Sequence, residues 1–495
     1  MLPNTNNATQ RADGLPQGTL LLTWLLLLTA YRLWVIPRQG ITLYVDEAQY
    51  WTWAQQLDWG YYSKPPVIAW LIGLTTAVFG DGPLAVKLPS LILYPATSWL
   101  IFRLGTRLFD ARIGFRAGIA FSLLPIVSAL GLFVSTDAPL MFFWALSMAA
   151  FVRALDKNRW RDWLLLGAAV GLGIMSKYTM AAFGASALLY VLIEPSRRRT
   201  LGNPRLWAAV ALAALIVAPN ILWNWSHDFP TLRHTADITH VEGLNDKSGN
   251  PGEFLLAQVG SLGPGLAVAF VCALVAAWRH RREDRVRLLA CFSLPLLALV
   301  FAQAARSEAN GNWAAPALYA ATLLAVAWLS RLRARWWTIA IGINIVLMLG
   351  VYHLADVLHV AGKPMTAKVD PYKRMRGWDS LAHALRPYLA ENPHAILLAD
   401  NRTLLAHMLY ELRDIQPDYV AWAPSAHPQD HYQLIQPLRN EAQGRPILLL
   451  SQDDPTPITS RFTSARLIGR IAVEVEPGLR RELDVILLEG FKGYQ

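Results

Sequence analysis

The sequence predicts an all-α polytopic membrane domain of about eleven to thirteen transmembrane helices, followed by a small α/β domain. Two observations carry the first part. Of 495 residues, 54% are hydrophobic and only 16% charged, well short of the quarter or so that covers a water-facing surface. Apolar runs long enough to cross a hydrocarbon core of about 30 Å recur through the first 360 positions, and mean hydropathy is +0.29. The third observation is a change of character near residue 359, after which short apolar strands alternate with amphipathic helices. A soluble enzyme, a disordered chain and a fibrous protein are excluded.

Eleven runs read as spans: 18–36, 84–106, 112–134, 138–155, 162–176, 178–193, 205–223, 252–278, 287–304, 312–330 and 336–358. The first lacks a small-residue cleavage site and reads as a span, not a cleaved leader. The run 66–80 is only 15 residues and follows Pro65-Pro66. Basic clusters decide its status. With eleven spans, the groups at 103–116, 153–161, 197–205, 279–287 and 331–335 all fall on one side, which the positive-inside rule makes cytoplasmic. A twelfth span would put the first cluster opposite the others, so 66–80 is expected to be a juxtamembrane or re-entrant helix. The expected organisation is a cytoplasmic tail (1–17), a membrane domain (18–358) with an external loop at 37–83, and an external α/β domain (359–495).

The net charge of +10 does not indicate nucleic acid. From residue 359 onward basic and acidic residues balance at 16 each, so the excess lies beside the spans, where orientation explains it. Twenty Trp and sixteen Tyr suit interfacial belts. Cys272 and Cys291 both lie inside apolar runs, which points to core thiols and away from a disulfide or cysteine metal site. In the last domain, 394–400 and 445–454 read as strands, and helices are expected near 378 and 401. It carries no motif, so its expected part is a guiding or stabilising cap.

The external side collects polar residues from five segments: YVDEAQYW (44–51) with GYYSKPPVIAW (60–70), VSTDAP (134–139), SKYT (176–179), the 224–251 loop with Asn224, His227, Asp228, Arg233 and His234, and the turn with Arg306, Glu308 and Asn312. Ionisable residues at membrane depth are costly and mark function by default. Each has a plainer reading. Asp46, Glu47 and Asp137 also fit helix N-termini, Lys64 and Lys177 also fit snorkelling anchors, and His227 and His234 also fit a solvated loop. It is their convergence that carries weight. Carboxylates and cations at a membrane–water boundary suit a substrate with an anionic headgroup and an apolar tail, such as a lipid-linked phosphosugar. Moving its sugar requires a base for the acceptor hydroxyl and cations for the departing phosphate. Lys64, Lys177 and Arg306 are the candidate phosphate ligands; Tyr61, Tyr62, His227 and Asn312 are candidates to contact substrate.

The ordered set YVDEAQYW, YYSKPPV, VSTDAPLMFFWAL and GNWAAP resembles the C-type glycosyltransferase fold over residues 20–320, specifically the bacterial branch related to protein O-mannosyltransferases and lipid A aminoarabinose transferases. The resemblance implies an inverting transferase. Its donor would be a polyprenyl-phosphate sugar, its acceptor a lipid A-like lipid, a glycan or a protein, and its site the outer face of the bacterial inner membrane. It further implies Asp46 as the catalytic carboxylate, with Glu47 adjacent and able to share that role, Lys64 on the lipid-linked phosphate, and Asp137 as a second acid. The aminoarabinose branch carries a metal-holding acid where this chain has Ser63, which leaves a divalent metal open. A flippase for lipid-linked sugars is the alternative; it predicts internal symmetry and charges spread through the spans, and neither is visible. A non-catalytic scaffold has no use for the convergence.

Overall fold

The computed structural model describes residues 16–239, 249–279, 283–307, 309–439 and 444–494. The membrane part opens with α1 (Gln17–Arg38), then two short helices, α2 (Val45–Gln55) and α3 (Val67–Phe79), before α4 (Pro83–Leu108). Next come α5 (Ala111–Ser122), α6 (Pro125–Leu130), α7 (Asp137–Lys157), α8 (Trp160–Ile174), α9 (Ala181–Ile193), α10 (Pro204–Ser226) and α11 (Pro230–Thr239). The remaining helices of this part are α12 (Pro251–Leu262), α13 (Pro264–Arg279), α14 (Asp284–Cys291), α15 (Leu294–Arg306), α16 (Ala315–Leu329), α17 (Ala334–Tyr352) and α18 (Leu354–Val360).

Among the described residues seven helical segments are long and apolar enough to span a membrane, eight if α12 and α13 count as one. Each of the eleven expected runs is helical, and 66–80 forms the 13-residue α3. The count differs because several runs are short or broken. Runs 162–176 and 178–193 form the 15-residue α8 and the 13-residue α9. Run 112–134 stops at Leu124, which takes extended angles before Pro125. The freed carbonyls do not stay bare. Arg32, buried on α1, donates from Nη2 to Ser122 O at 3.0 Å and from Nε to the Tyr352 hydroxyl at 2.9 Å, and Tyr352 donates to Ser128 O at 2.8 Å. Satisfying irregular backbone inside the protein is what a low-dielectric setting requires.

The run 252–278 bends by 106° between α12 and α13. Gly263 sits there at φ +85°, followed by Pro264, and Asn344 of α17 donates to Leu262 O at 3.2 Å. A Cβ on Gly263 would lie 1.8 Å from Asn344 Oδ1. The central element is α16, apolar around its whole circumference and buried at every position but Trp328, as a helix surrounded by other helices must be.

The last part holds α19 (Trp378–Glu391), α20 (Arg402–Glu411), α21 (His431–Ile435) and α22 (Thr456–Thr459) around five strands, β1 (Ile396–Ala399), β2 (Tyr419–Ala421), β3 (Ile447–Ser451), β4 (Phe462–Glu476) and β5 (Leu479–Phe491). Their order is β2-β1-β3-β5-β4, with β1 parallel to β2 and β3, and β5 antiparallel to β3 and β4. β1 and β3 are buried at every position, as covered parallel strands are. Both expected strands and both expected helices are present. The long β4–β5 hairpin was not anticipated, although its turn is Pro477-Gly478 with Gly478 at φ +81°, a recognisable turn signal.

This α/β part does not stand apart from the membrane part. Leu43, Trp51, Trp53, Ile68 and Ile72 of the α2–α3 region share one apolar core with Leu381, Leu405, Tyr410 and Leu448. Trp51 meets Tyr410 edge-on at 5.2 Å, and both hold Asp81, through an indole bond of 2.7 Å and a hydroxyl bond of 3.0 Å.

Gly263→Ala forces a β-carbon into the α12–α13 bend. It should cost about 1–3 kcal/mol and lower Tm in detergent, and Asn344→Ala should recover part of the loss. An unchanged Tm for Gly263→Ala would show that the bend does not depend on that contact.

Candidate active site

Asp46 and Glu47 are neighbours on α2, so their side chains leave the helix about 100° apart. The outcome is two different roles. Glu47 is fully buried: Oε2 accepts from Lys87 Nζ of α4 at 2.6 Å and from Tyr44 N at 2.8 Å, and Oε1 accepts from Val134 N at 2.6 Å. Glu47 is therefore closed to an acceptor, which corrects the expectation that it shares the base role. It clamps α2 to α4 and to the 131–136 stretch. Asp46 points the other way, with its side chain 43% exposed.

Arg402, the first residue of α20, reaches Asp46 Oδ1 with Nη1 at 3.4 Å and Gln49 Oε1 at 2.9 Å. Sequence reasoning missed this residue and treated its domain as a cap. Its position offered one sign, an Asn-Arg-Thr start in which Asn401 caps the helix by accepting from Leu404 N at 2.9 Å, so Arg402 is held at a rigid helix start.

Lys64 precedes Pro65-Pro66, which favours extended backbone and removes two amide donors. The loop holding it is anchored on several sides. Tyr61 stacks on Trp53 at 4.5 Å, its hydroxyl donates to Trp53 O at 3.0 Å, and Tyr61 N donates to Lys64 O at 3.2 Å. Asp58 accepts from the Trp223 indole at 2.6 Å, and Thr231 donates to Tyr61 O at 3.0 Å. Tyr61 is thus consumed as a loop support, a correction to its expected contact with substrate. Val67 N donates to Met175 O at 3.1 Å, which brings the Lys64 segment beside the one bearing Lys177.

Asp137 opens α7 and is buried. Oδ1 accepts from Lys177 Nζ at 2.7 Å, and Oδ2 accepts from Asn312 Nδ2 at 2.8 Å. Lys64 lies within electrostatic reach of Lys177, Asp46, Asp137 and Arg402. Burial, reinforced by Lys177, pulls its ammonium down to about 8. Among the described residues Lys64 makes no ion pair. His234 of α11 packs against Tyr62 at 5.3 Å, and burial lowers it to about 4, so it is neutral at pH 7.

The structure therefore gathers Asp46, Lys64, Asp137, Lys177, Asn312 and Tyr62 near one another and adds Arg402 and His234. His227 is elsewhere: it is exposed, stacks on Trp223 at 4.2 Å, and shares a 2.8 Å bond between Nδ1 and Trp223 O. Arg306 ends α15 in an exposed position, and among the described residues no hydrogen bond or ion pair joins it to the cluster. Glu308 lies outside the described residues. Among the described residues no three His, Cys, Asp or Glu side chains converge. Ser63 offers only a hydroxyl, and both nearby carboxylates are engaged by cations. These residues do not fit a resident divalent metal.

The dolichyl-phosphate-mannose-protein mannosyltransferase family matches residues 63–223. Over 431 residues the chain is 31% identical to the lipid A galacturonosyltransferase RgtD of Rhizobium johnstonii, covering 86% of this chain and 90% of that protein. The chain belongs to this family of membrane glycosyltransferases. It is 28% identical over 307 residues to the undecaprenyl phosphate-α-4-amino-4-deoxy-L-arabinose arabinosyl transferase of Pseudomonas paraeruginosa, covering 56% and 54% of the two chains. The crystal structure of ArnT from Cupriavidus metallidurans bound to undecaprenyl phosphate matches with a TM-score of 0.67 at 17% identity, covering 94% of this chain and 98% of that one. The fold is the C-type glycosyltransferase fold, and the protein is a multi-pass inner-membrane enzyme.

Removing one partner of the Glu47–Lys87 pair leaves an unpaired buried charge, so Glu47→Gln should cost about 3–5 kcal/mol. Glu47→Leu combined with Lys87→Met should recover most of it. A Glu47→Gln protein with unchanged Tm and no activity would instead place Glu47 in the chemistry.

Proposed function

We propose that the enzyme transfers a uronic acid from a polyprenyl phosphate to a lipid A-type acceptor at the periplasmic face of the inner membrane. The observation that carries this reading is the charge balance around Lys64. Asp137 is neutralised by Lys177 and supported by Asn312, and Asp46 is paired with Arg402. Among the described residues the cation left over is Lys64. A cation without a counter-charge suits the donor phosphate and an acidic sugar, whereas an amino sugar requires a spare carboxylate. The relative most alike among those above, a lipid A galacturonosyltransferase, supports the same sugar class and acceptor. The five basic clusters support the periplasmic placement of the 37–83 segment and of residues 359–495.

In this reading Asp46 is the base. It is the more exposed of the two carboxylates, and a sugar hydroxyl is a poor nucleophile until its proton is taken. The acceptor oxygen attacks the anomeric carbon as its proton passes to Asp46. The bond from that carbon to the phosphate oxygen breaks, and polyprenyl phosphate leaves with the electron pair. Lys64 neutralises the developing phosphate charge, with Lys177 paired to Asp137 beside it. Direct displacement inverts the anomeric centre. Arg402 fixes the orientation of Asp46.

Asp46→Asn should lower turnover by about 10²–10⁴-fold with Tm unchanged; near-normal turnover would remove Asp46 from the base role. Lys64→Ala should weaken donor binding without unfolding the protein, and undiminished donor affinity would contradict its phosphate role. The protonated Lys64 binds phosphate and its ammonium titrates at about 8. Donor affinity should therefore be constant below about pH 7 and fall as pH rises through 8. Lys64→Arg should flatten that fall, since a guanidinium keeps its charge there. A fall of the same steepness in Lys64→Arg would assign the pH dependence to another group.

A further inference from the structure

A cavity of about 1140 Å³ opens where the C-terminal end of α2 meets the β2 edge of the sheet. It lies outside the Asp46–Lys64 cluster and is larger than a pocket for one small ligand. Thr52, Gln55 and Asp58 form one wall, Tyr419 and Gln436 the other. Three arginines from three separate segments border it: Arg413 after α20, Arg439 after α21 and Arg445 before β3.

Against the three arginines the lining carries two carboxylates, Asp58 and Asp418, which leaves one positive charge in excess among the described lining residues. Arg445 pairs with Asp418 at 2.8 Å, and the Asp58 carboxylate accepts the Trp223 indole. Arg413 lies over the Tyr410 ring at 4.3 Å, with Glu411 3.9 Å away. Arg439 is exposed and has no ion pair among the described residues.

A second observation is independent of charge. His431 lines the cavity and is only 5% exposed, yet its buried Nδ1 has no hydrogen-bond partner. Its ring stands edge-on to Trp53 at 5.3 Å and to Tyr61 at 5.4 Å. Burial lowers it to about 3, so the ring is neutral and offers a hydrogen bond, not a charge. A buried polar atom without a partner is uncommon and calls for an explanation; here it belongs to a ring that borders the cavity. Guanidinium forks bind phosphate and carboxylate oxygens in pairs, and aromatic and amide side chains suit a sugar ring.

Position links this cavity to the chemistry. Asp46 and Gln55 lie nine residues apart on one helix, about 13 Å along its axis. The loop from Gln56 to Tyr61 borders the cavity and runs directly into Lys64.

We propose that the cavity binds the far end of the acceptor, an anionic phosphorylated glycan whose near end presents its hydroxyl to Asp46. The acceptor role rests on the transferase reading; the binding does not. The same chemistry is available from a lipid A headgroup and from a free phosphorylated oligosaccharide.

The test uses the full-length protein in phosphatidylcholine nanodiscs without donor. Binding is measured for a phosphorylated glucosamine disaccharide lacking acyl chains, for the same disaccharide without phosphates, and for the acylated phosphorylated molecule. The phosphorylated probes should bind at least about tenfold more tightly than the neutral one. Arg439→Glu should weaken them by about tenfold or more with Tm unchanged, Gln436→Ala by less, and Lys64→Ala not at all. In turnover, Arg439→Glu should raise the acceptor KM and leave the donor KM alone. Equal affinity for acylated and deacylated probes identifies the headgroup alone as ligand; tighter binding of the acylated one identifies the amphiphile. Both uphold the site. Neutral and phosphorylated disaccharides binding alike, or Arg439→Glu binding normally, would overturn it. Normal probe binding by a protein that transfers no sugar would refute the transferase reading and leave the site standing.

Discussion

The buried pair Glu47–Lys87 is the constraint on which the rest of the site depends. Its 2.6 Å contact, with amide bonds from Tyr44 and Val134 to the same carboxylate, fixes both the rotation and the depth of α2. Two ions out of water are expensive unless their geometry is closed by further hydrogen bonds, and here it is. Once α2 is fixed, Asp46 must face outward, Trp51 and Trp53 must face the α/β core, and Thr52 and Gln55 must border the cavity. One short helix thereby relates Asp46, the loop bearing Lys64 and the cavity beside β2.

The shared core between α2, α3 and the last domain gives Arg402 its precision. A guanidinium brought by a mobile cap would pair weakly with an exposed carboxylate, since such pairs contribute little by themselves. Here Arg402 starts a helix whose Leu405 and Tyr410 are packed with Trp51 and Ile68 in one cluster. The domain supplies a rigid mount as much as a charge. Its sheet then forms the far wall of the cavity, so the domain is built into this part of the structure and does not merely cover it.

Much of this was legible in the residues. The YVDEAQYW, KPP, TDAP and GNWAAP segments named Asp46, Lys64, Asp137 and Asn312, and the structure brings all four together, with Lys177 beside them. What was not legible depended on geometry beyond the local pattern. Adjacent acids look alike in sequence; only the direction of α2 separates Glu47 from Asp46. Tyr61 and Tyr62 are likewise neighbours, and stacking on Trp53 removes the first from the site. Arg402 lies 356 positions from its partner, in a domain with no motif. Broken spans had their signals in Pro125 and Gly263-Pro264, which hydropathy alone passes over because both are compatible with an apolar run.

Reconstitution decides whether this assembly makes a glycosidic bond. Purified enzyme in proteoliposomes would receive a polyprenyl-phosphate uronic acid and lipid A, with products followed by mass spectrometry and the anomeric centre by NMR. Lipid A should carry one added uronic acid of inverted configuration, with polyprenyl phosphate released in equal amount. Donor moved across the bilayer intact, with no new bond formed, would contradict it.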